Sequence, residues 1–237
     1  MRMSKSKINT YLKCPREFKY RYIDEIEMPP NEYMALGSNI HKVAEDYVIR
    51  YGDKPQMDIR YSLDLIAKTL ELDVDEIDIH LNSLASFFER AFVENDYTLF
   101  SQEEYLSDET HNFNGITDIV LENPDGDLIV IDYKTGSSSS FSKCRRELGY
   151  YKMLVESNYN RNVIAAGIFF TKNNKLRLLY FDENPNKRKY MMQNELDEGL
   201  DTLYEVRKNV NEGKFPKNDQ FLCRYCTYSD ICFNDKD

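Results

Sequence analysis

The stretch GITDIVLENPDGDLIVIDYKTG, residues 115–136, constrains this chain more than any other part of it. Two β-branched runs flank Asn123-Pro124-Asp125-Gly126-Asp127, and that turn composition predicts a hairpin with strands over 115–122 and 128–134. Leu128-Ile129-Val130-Ile131 is apolar throughout, which marks the second strand as central and buried. That strand ends in Asp132 and Lys134, two positions apart and therefore on one face. Charges at the end of a buried strand are costly unless they are paired or bind a metal. Asp118 lies on the partner strand among Ile116, Ile119 and Val120. Across a hairpin two such carboxylates can approach each other, and a close pair needs a cation to neutralise it. Taken singly, each residue has a plainer reading: Asp132 and Lys134 as a strand-end ion pair, Asp118 as a polar residue near a turn.

Periodicity around the hairpin predicts mostly helix. Residues 6–23 read as a short helix broken at Cys14-Pro15, followed by a second helix with Pro15 in its first turn. In LGSNIHKVAEDYVIRY, Ser38 is a candidate N-cap, and His41 and Glu45 stand four apart on one helix face. Three- and four-residue apolar spacings over 58–94 (Leu63, Ile66, Leu70, Leu81, Leu84, Phe88) predict a helical insertion of about residues 55–100. After the hairpin, 143–158 reads as a helix. Two strands are expected around Asn173-Asn174, and a long helix over 190–211 ends before Gly213. Helices, hairpin, helix, hairpin, helix is the order of an α/β domain with a mixed central sheet flanked by helices.

The 237 residues suit one domain over 1–237, and 41% hydrophobic content supplies a real core. A net charge of −10 argues against a protein that coats nucleic acid without specificity, yet leaves room for a local basic groove. No apolar run reaches the ~18 residues of a membrane span, and the N-terminal residues lack the apolar centre of a signal peptide. The expected location is the cytoplasm, with no membrane partner. Five cysteines in such a chain point to free thiols or metal ligands rather than a disulfide framework. Three of them, Cys223, Cys226 and Cys232, form C-x2-C-x5-C; a thiolate site needs a fourth ligand, and only Cys14 and Cys144 remain.

Asp118, then Asp132-x-Lys134, preceded by a helix bearing His41, resembles the PD-(D/E)xK nuclease superfamily, and within it the RecB-like branch. The pieces that carry the resemblance are GSNIH (37–41), GITD (115–118), IDYKTG (131–136) and ELGYY (147–151). The resemblance implies a restriction-endonuclease-like core in which His41, Asp118, Asp132 and the Tyr133 carbonyl hold Mg²⁺ or Mn²⁺. It gives Lys134 the role of supporting the attacking water and the phosphate charge. It also implies a catalytic role for Tyr151, which closes the Q-x-x-x-Y element of that branch. Glu147 stands where the branch usually has glutamine, a departure that bears on how substrate is held. Hard oxygen ligands suit such ions, which lower the pKa of bound water.

The iron–sulfur subset of the RecB-like branch is similar in its cysteines: one near the N-terminus in a Cys-Pro pair, three near the end. The likeness implies that Cys14, Cys223, Cys226 and Cys232 hold a 4Fe-4S cluster that clasps the two ends of the chain, with Cys144 a free thiol. A four-cysteine Zn²⁺ site is the chemical alternative, which spacing alone does not separate. Arg16, Arg21, Arg145, Arg146 and Glu147 are candidate substrate contacts, with Lys143 beside them. Tyr11, Tyr20 and Tyr22 next to Arg16 and Arg21 offer a possible single-strand stacking surface, though tyrosines more often pack. His80 and His111 have no supporting context.

A chain of this kind, without a GxxxxGK[ST] nucleotide loop, resembles a stand-alone nuclease module such as the CRISPR-associated RecB-like exonucleases and the nuclease domains of the RecB and AddB type. The expected activity is a metal-dependent exonuclease on single-stranded DNA, in CRISPR adaptation, DNA repair and recombination, or phage DNA processing. Helicases and CRISPR adaptation proteins are the partners so implied. The alternatives are a structure-specific endonuclease and a non-catalytic DNA-binding subunit that keeps the fold.

Overall fold

Six strands form one mixed sheet in the computed structural model, which describes residues 1–29, 32–52, 54, 58–181, 189–218 and 221–234. The predicted hairpin is its centre: β3 (Phe113–Glu122) and β4 (Leu128–Lys134), antiparallel, turning at Gly126 with φ +86°. On the far side of β4 runs β5 (Val163–Phe170), parallel to it, and then β6 (Lys175–Tyr180), antiparallel to β5. On the other side of β3 lies β2 (Thr98–Asp108), antiparallel along its whole length. A two-residue strand, β1 (Met3–Ser4), pairs in parallel with the start of β3. Neither β1 nor β2 was anticipated from the sequence. β2 begins inside the segment expected to be helical, and its polar run Ser101–Glu104 hides its strand character.

Helices cover both faces. On one side are α1 (Lys5–Lys13), α2 (Pro15–Tyr22), α6 (Phe141–Tyr159) and α7 (Gln193–Asn211). Leu128 and Val130 of β4 point into that layer, against Leu148, Leu154 and Val155. On the other side are α3 (Glu32–Tyr51), α4 (Ile59–Thr69) and α5 (Asp78–Phe88), the last continued by a π-helical turn over Glu89–Glu94. Ile129, Ile131 and Tyr133 point that way, so β4 is buried on both faces as its apolar run requires. Where α6 crosses β3, Gly115 leaves the room: a Cβ there would lie 2.8 Å from a Leu154 methyl carbon.

Local chemistry explains most boundaries. Ser4 caps α1 by accepting the Lys7 N–H, and extended Cys14 separates α1 from a Pro15 that opens α2. Ser38 does not cap a helix; α3 begins at Glu32 and carries Ser38 in its interior. The last long helix starts at Gln193 rather than 190, because Tyr190 instead bridges to Tyr180 of β6. Among the described residues no helix is long and apolar enough to cross a membrane. Residues 55–57, at the start of the expected helical insertion, lie outside the described set. A short helix, α8 (Ser229–Asn234), ends the described chain.

The sheet has a gap between β3 and the end of β4. Pairing between β3 and β4 stops at Ile119–Ile131, while β1 pairs with β3 only at Phe113 and Asn114. The β4-facing edge of β3 from Gly115 to Asp118 therefore has no strand beside it, while its other edge pairs with β2. Asp118 and the end of β4 open into that gap, and α1, leaving β1, enters it from the other end.

Candidate active site

In place of the missing ladder bond, the Asp118 carboxylate accepts the Tyr133 N–H at 2.6 Å. The Tyr133 carbonyl, one peptide on, accepts from His41 Nε2 at 3.0 Å. With Nε2–H so engaged, the other ring nitrogen, Nδ1, faces Asp118 Oδ2 at 3.5 Å and Glu103 Oε1 at 4.0 Å. His41, Glu103 and Asp118 are the one group of three His, Cys, Asp or Glu residues, among those described, whose ligand atoms all lie within 4.8 Å of one another. The Tyr133 carbonyl, expected as a ligand, is committed to His41 through one of its two lone pairs.

Glu103 was not anticipated. It sits in β2 between Gln102, paired with Ile119, and Glu104, paired with Thr117, so it lies opposite Asp118. Its backbone is left-handed, φ +44°, which costs a non-glycine residue about 1–2 kcal/mol. Burial, and then the charge of Asp118, push its carboxyl up to about 7. Glu45, one turn along α3 from His41, is instead ion-paired with Lys42 at 3.0 Å, on the rim of the shallow depression beside His41 and Glu103.

Asp132 is 2% exposed and each of its oxygens meets a lysine: Oδ1 accepts from Lys5 at 2.7 Å, and Oδ2 lies 2.6 Å from the Lys134 ammonium. Tyr151, on α6, donates its hydroxyl to Oδ1 and in turn accepts from Lys5. Glu147, one turn before Tyr151, accepts the Asn9 amide at 2.8 Å and lies 3.5 Å from Lys5 and 3.8 Å from Lys134. Burial alone would raise the Asp132 carboxyl, but the two lysines hold it well below the ordinary carboxylate range. Asp118 goes the other way: burial and the nearby Asp132 raise it, and His41, Lys5 and the Tyr133 N–H offset only part of that. One carboxylate is thus fixed as an anion and its neighbour resists ionising, which is the electrostatic profile of a cation-binding site.

The end of β4 is held from behind. Thr171 donates to the Lys134 carbonyl at 3.3 Å and accepts from buried His80 on α5 at 2.7 Å. Burial, then Lys172, lowers the His80 pKa, so this histidine, which had no context in the sequence, serves as a neutral bracket.

The candidate substrate contacts fare less well. Arg145 is tied to Glu195 at 2.6 Å and to the Tyr190 carbonyl, so it fastens α6 to α7 and is not offered to a substrate. Arg16 donates to the Phe215 carbonyl at 2.9 Å. Arg146 packs near Gly199 on the α7 side, away from Asp132. Arg21 lies over the Tyr22 ring and lines a groove with Glu25 and Tyr225. The Lys143 side chain lies outside the described set. Tyr11 and Tyr20 are 7% and 3% exposed, and their rings pack on Phe18 and Tyr228, which leaves no stacking face for bases.

The four expected cysteine ligands share a cavity but are not clustered. Cys14, Cys223, Cys226 and Cys232 line one cavity of about 360 Å³ between the start of α2 and the C-terminal residues. No three of their sulfur atoms fall within 4.8 Å of one another. Cys144 is elsewhere, packed against the α6 side of the core, where burial raises its thiol.

The sequence over residues 2–233 matches the model of the PD-(D/E)XK nuclease superfamily. The chain belongs to that superfamily. Its members are nucleases that hydrolyse nucleic acid with divalent metal ions, and the His41–Glu103–Asp118 group is a site where such an ion fits. Among solved structures the fold is similar to that of a "Putative exonuclease" from Eubacterium rectale, at 12% identity and a TM-score of 0.53, covering 99% of this chain and 88% of that one. At that identity the likeness shows the fold alone. A second structure, SSO0001, aligns at 12% identity over 96% of this chain and 94% of its own, with a TM-score of 0.38 on which nothing is built. No curated protein matches the chain.

Proposed function

We propose that this chain is a metal-dependent exonuclease acting on single-stranded or frayed DNA. The observation that carries the reading is the sheet gap where Asp118, Asp132, Lys134 and His41 converge. His41 through Nδ1, Asp118, Asp132 and Glu103 would hold Mg²⁺ or Mn²⁺, with the second lone pair of the Tyr133 carbonyl available to it. Oxygen and imidazole donors of this kind suit such ions. When bound, the ion supplies Lewis-acid activation of the phosphate and of a water. Lys134, less buried than Asp132, presents its ammonium to the charge that builds on the phosphate. Tyr151 fixes the Asp132 carboxylate through its hydroxyl.

The four-cysteine cavity supports a 4Fe-4S cluster as a clasp between the chain's two ends. Thiolates on one tetrahedral zinc would stand about 3.8 Å apart, from Zn–S bonds of about 2.3 Å. A four-cysteine Zn²⁺ site of that kind is the alternative, and iron, sulfide and zinc analysis of the purified protein separates it from a cluster. The cluster would supply structure here, with no redox step required.

Such a nuclease would serve CRISPR adaptation, repair and recombination, or phage DNA processing, beside a helicase or adaptation proteins. With Mn²⁺ the purified protein should shorten end-labelled single strands, and Asp132→Ala or Lys134→Ala should abolish this. Unchanged activity in either variant would refute the assignment. Cleavage of an end-less circular single strand would favour the endonuclease alternative, and DNA binding without cleavage the non-catalytic one.

A further inference from the structure

Lys5 was given no role by any sequence pattern, yet its ammonium has three polar partners in the site. It is the first residue of α1, where the chain leaves β1 and enters the gap beside β3. Its ammonium reaches Asp132 Oδ1, the Tyr151 hydroxyl and, at 3.5 Å, Glu147 Oε2. One turn later Asn9 donates to Glu147 Oε1. Lys5 and Asn9 are thus four apart on α1 and meet Glu147 and Tyr151, four apart on α6, so two helix faces mesh through polar groups.

The charges explain why a second lysine is needed. Glu147 and Asp132 are both buried, their side chains 8% and 2% exposed. Glu147 Oε2 has no hydrogen bond among the described residues, and its nearest cations are Lys5 and Lys134. Lys134 alone would have to balance two buried anions while also serving the substrate. An unbalanced buried carboxylate is costly and displaces its neighbours.

Building on the nuclease reading, we propose that Lys5 is a positioning residue of the active site: it balances Glu147 and fixes Asp132 and Tyr151, which leaves Lys134 free for phosphate. The partnership with Glu147 makes a specific pattern. Lys5→Met removes one positive charge next to Asp132, so Mn²⁺ measured by calorimetry should bind tighter, by roughly three- to tenfold. Turnover at saturating Mn²⁺ should nonetheless fall, on the order of 100-fold, because Asp132 and Tyr151 lose their alignment. Lys5→Met/Glu147→Gln should return the Mn²⁺ affinity to near wild type, since the amide still accepts from Asn9 and needs no counter-charge, while turnover stays low because Asp132 and Tyr151 still lack the Lys5 ammonium. In EDTA the double variant should melt above Lys5→Met. Lys5→Arg, which keeps the charge, guards against a Met variant that does not fold; its Mn²⁺ affinity should stay within about threefold of wild type.

Wild-type turnover and affinity in Lys5→Met would overturn the proposal, as would a double variant that melts below the single one. So would Lys5→Arg binding Mn²⁺ as tightly as Lys5→Met. A wild-type protein that neither binds Mn²⁺ nor cleaves DNA would instead sink the nuclease reading. The melting comparison in EDTA would still decide the pairing of Lys5 with Glu147.

Discussion

Two aspartates of one site should respond to neutralisation with opposite signs. Asp132→Asn strips the counter-charge from Lys5 and Lys134, at 2.7 and 2.6 Å, and leaves two ammonium groups that face each other with only Glu147 between them. Breaking a buried pair costs about 3–5 kcal/mol. Lys134 keeps about a third of its side chain in water, so about 3 kcal/mol is the better figure. For a domain of this size each kcal/mol moves the melting temperature by about 2–4 °C, so Asp132→Asn should melt about 6–12 °C lower in EDTA. Asp118→Asn should melt higher. A carboxyl raised by burial costs stability wherever it must ionise, and an amide oxygen at 118 can still accept the Tyr133 N–H. The Asp132 effect has a fixed pH window. Its depressed carboxyl contributes stability above the ordinary value of 3.8, and that contribution fades as pH falls below it. Differential scanning calorimetry at pH 7.5 in EDTA, on preparations with the cysteine site equally occupied, decides the matter. Equal losses in the two variants, or a gain in Asp132→Asn, would refute the charge balance drawn here.

Two further outcomes follow from the same geometry. Glu103, pushed up to about 7 from 4.5, is protonated in the folded metal-free protein where the unfolded chain has ionised, so it lowers stability as pH rises through that window. Cation binding there should release protons: calorimetry in buffers of different ionisation enthalpy should show proton release near pH 6 that Glu103→Gln diminishes. If the proposed cluster is present, Cys14→Ser should lose its absorbance near ~400 nm and lower the melting temperature, whereas Cys144→Ser, outside the cavity, should change neither.

How much of this could be read in advance depends on the range of the signal. Asp132 and Lys134 were legible because an apolar strand that ends in charges is anomalous within seven residues, and Asp118 because its strand is the hairpin partner. Spacing left both Cys14 and Cys144 open as partners of the C-terminal three; the resemblance to the iron–sulfur subset pointed to Cys14, which lines the cavity with Cys223, Cys226 and Cys232. Glu103 and Lys5 were not. Glu103 lies in a run, Gln102-Glu103-Glu104, that alternates poorly, and only its left-handed backbone opposite Asp118 marks it out. Lys5 is 127 positions from Asp132, and its role depends on a two-residue strand too short to carry any pattern. Arg145 misled in the reverse sense. A basic cluster at a helix start looks like a phosphate site until Glu195, 50 residues on, is seen to occupy it.

Those hidden contacts converge on α1. The helix is nine residues long, about 13 Å, with Lys5 at its first position and Cys14 at its C-cap. One end is fixed to Asp132 and Tyr151, and the other turns into the cavity that Cys14 shares with Cys223, Cys226 and Cys232. Between them Asn9 bonds Glu147 and Tyr11 bonds the Lys214 carbonyl, so the helix cannot slide without breaking contacts to both α6 and the C-terminal segment. A rod held at both ends transmits a shift at one end to the other, because close-packed helices move as units. If Cys14 holds a cluster as proposed, that clasp would also fix the end of the helix that carries Lys5. The loss of Cys14 should then lower turnover as well as stability, with a single short helix as the link.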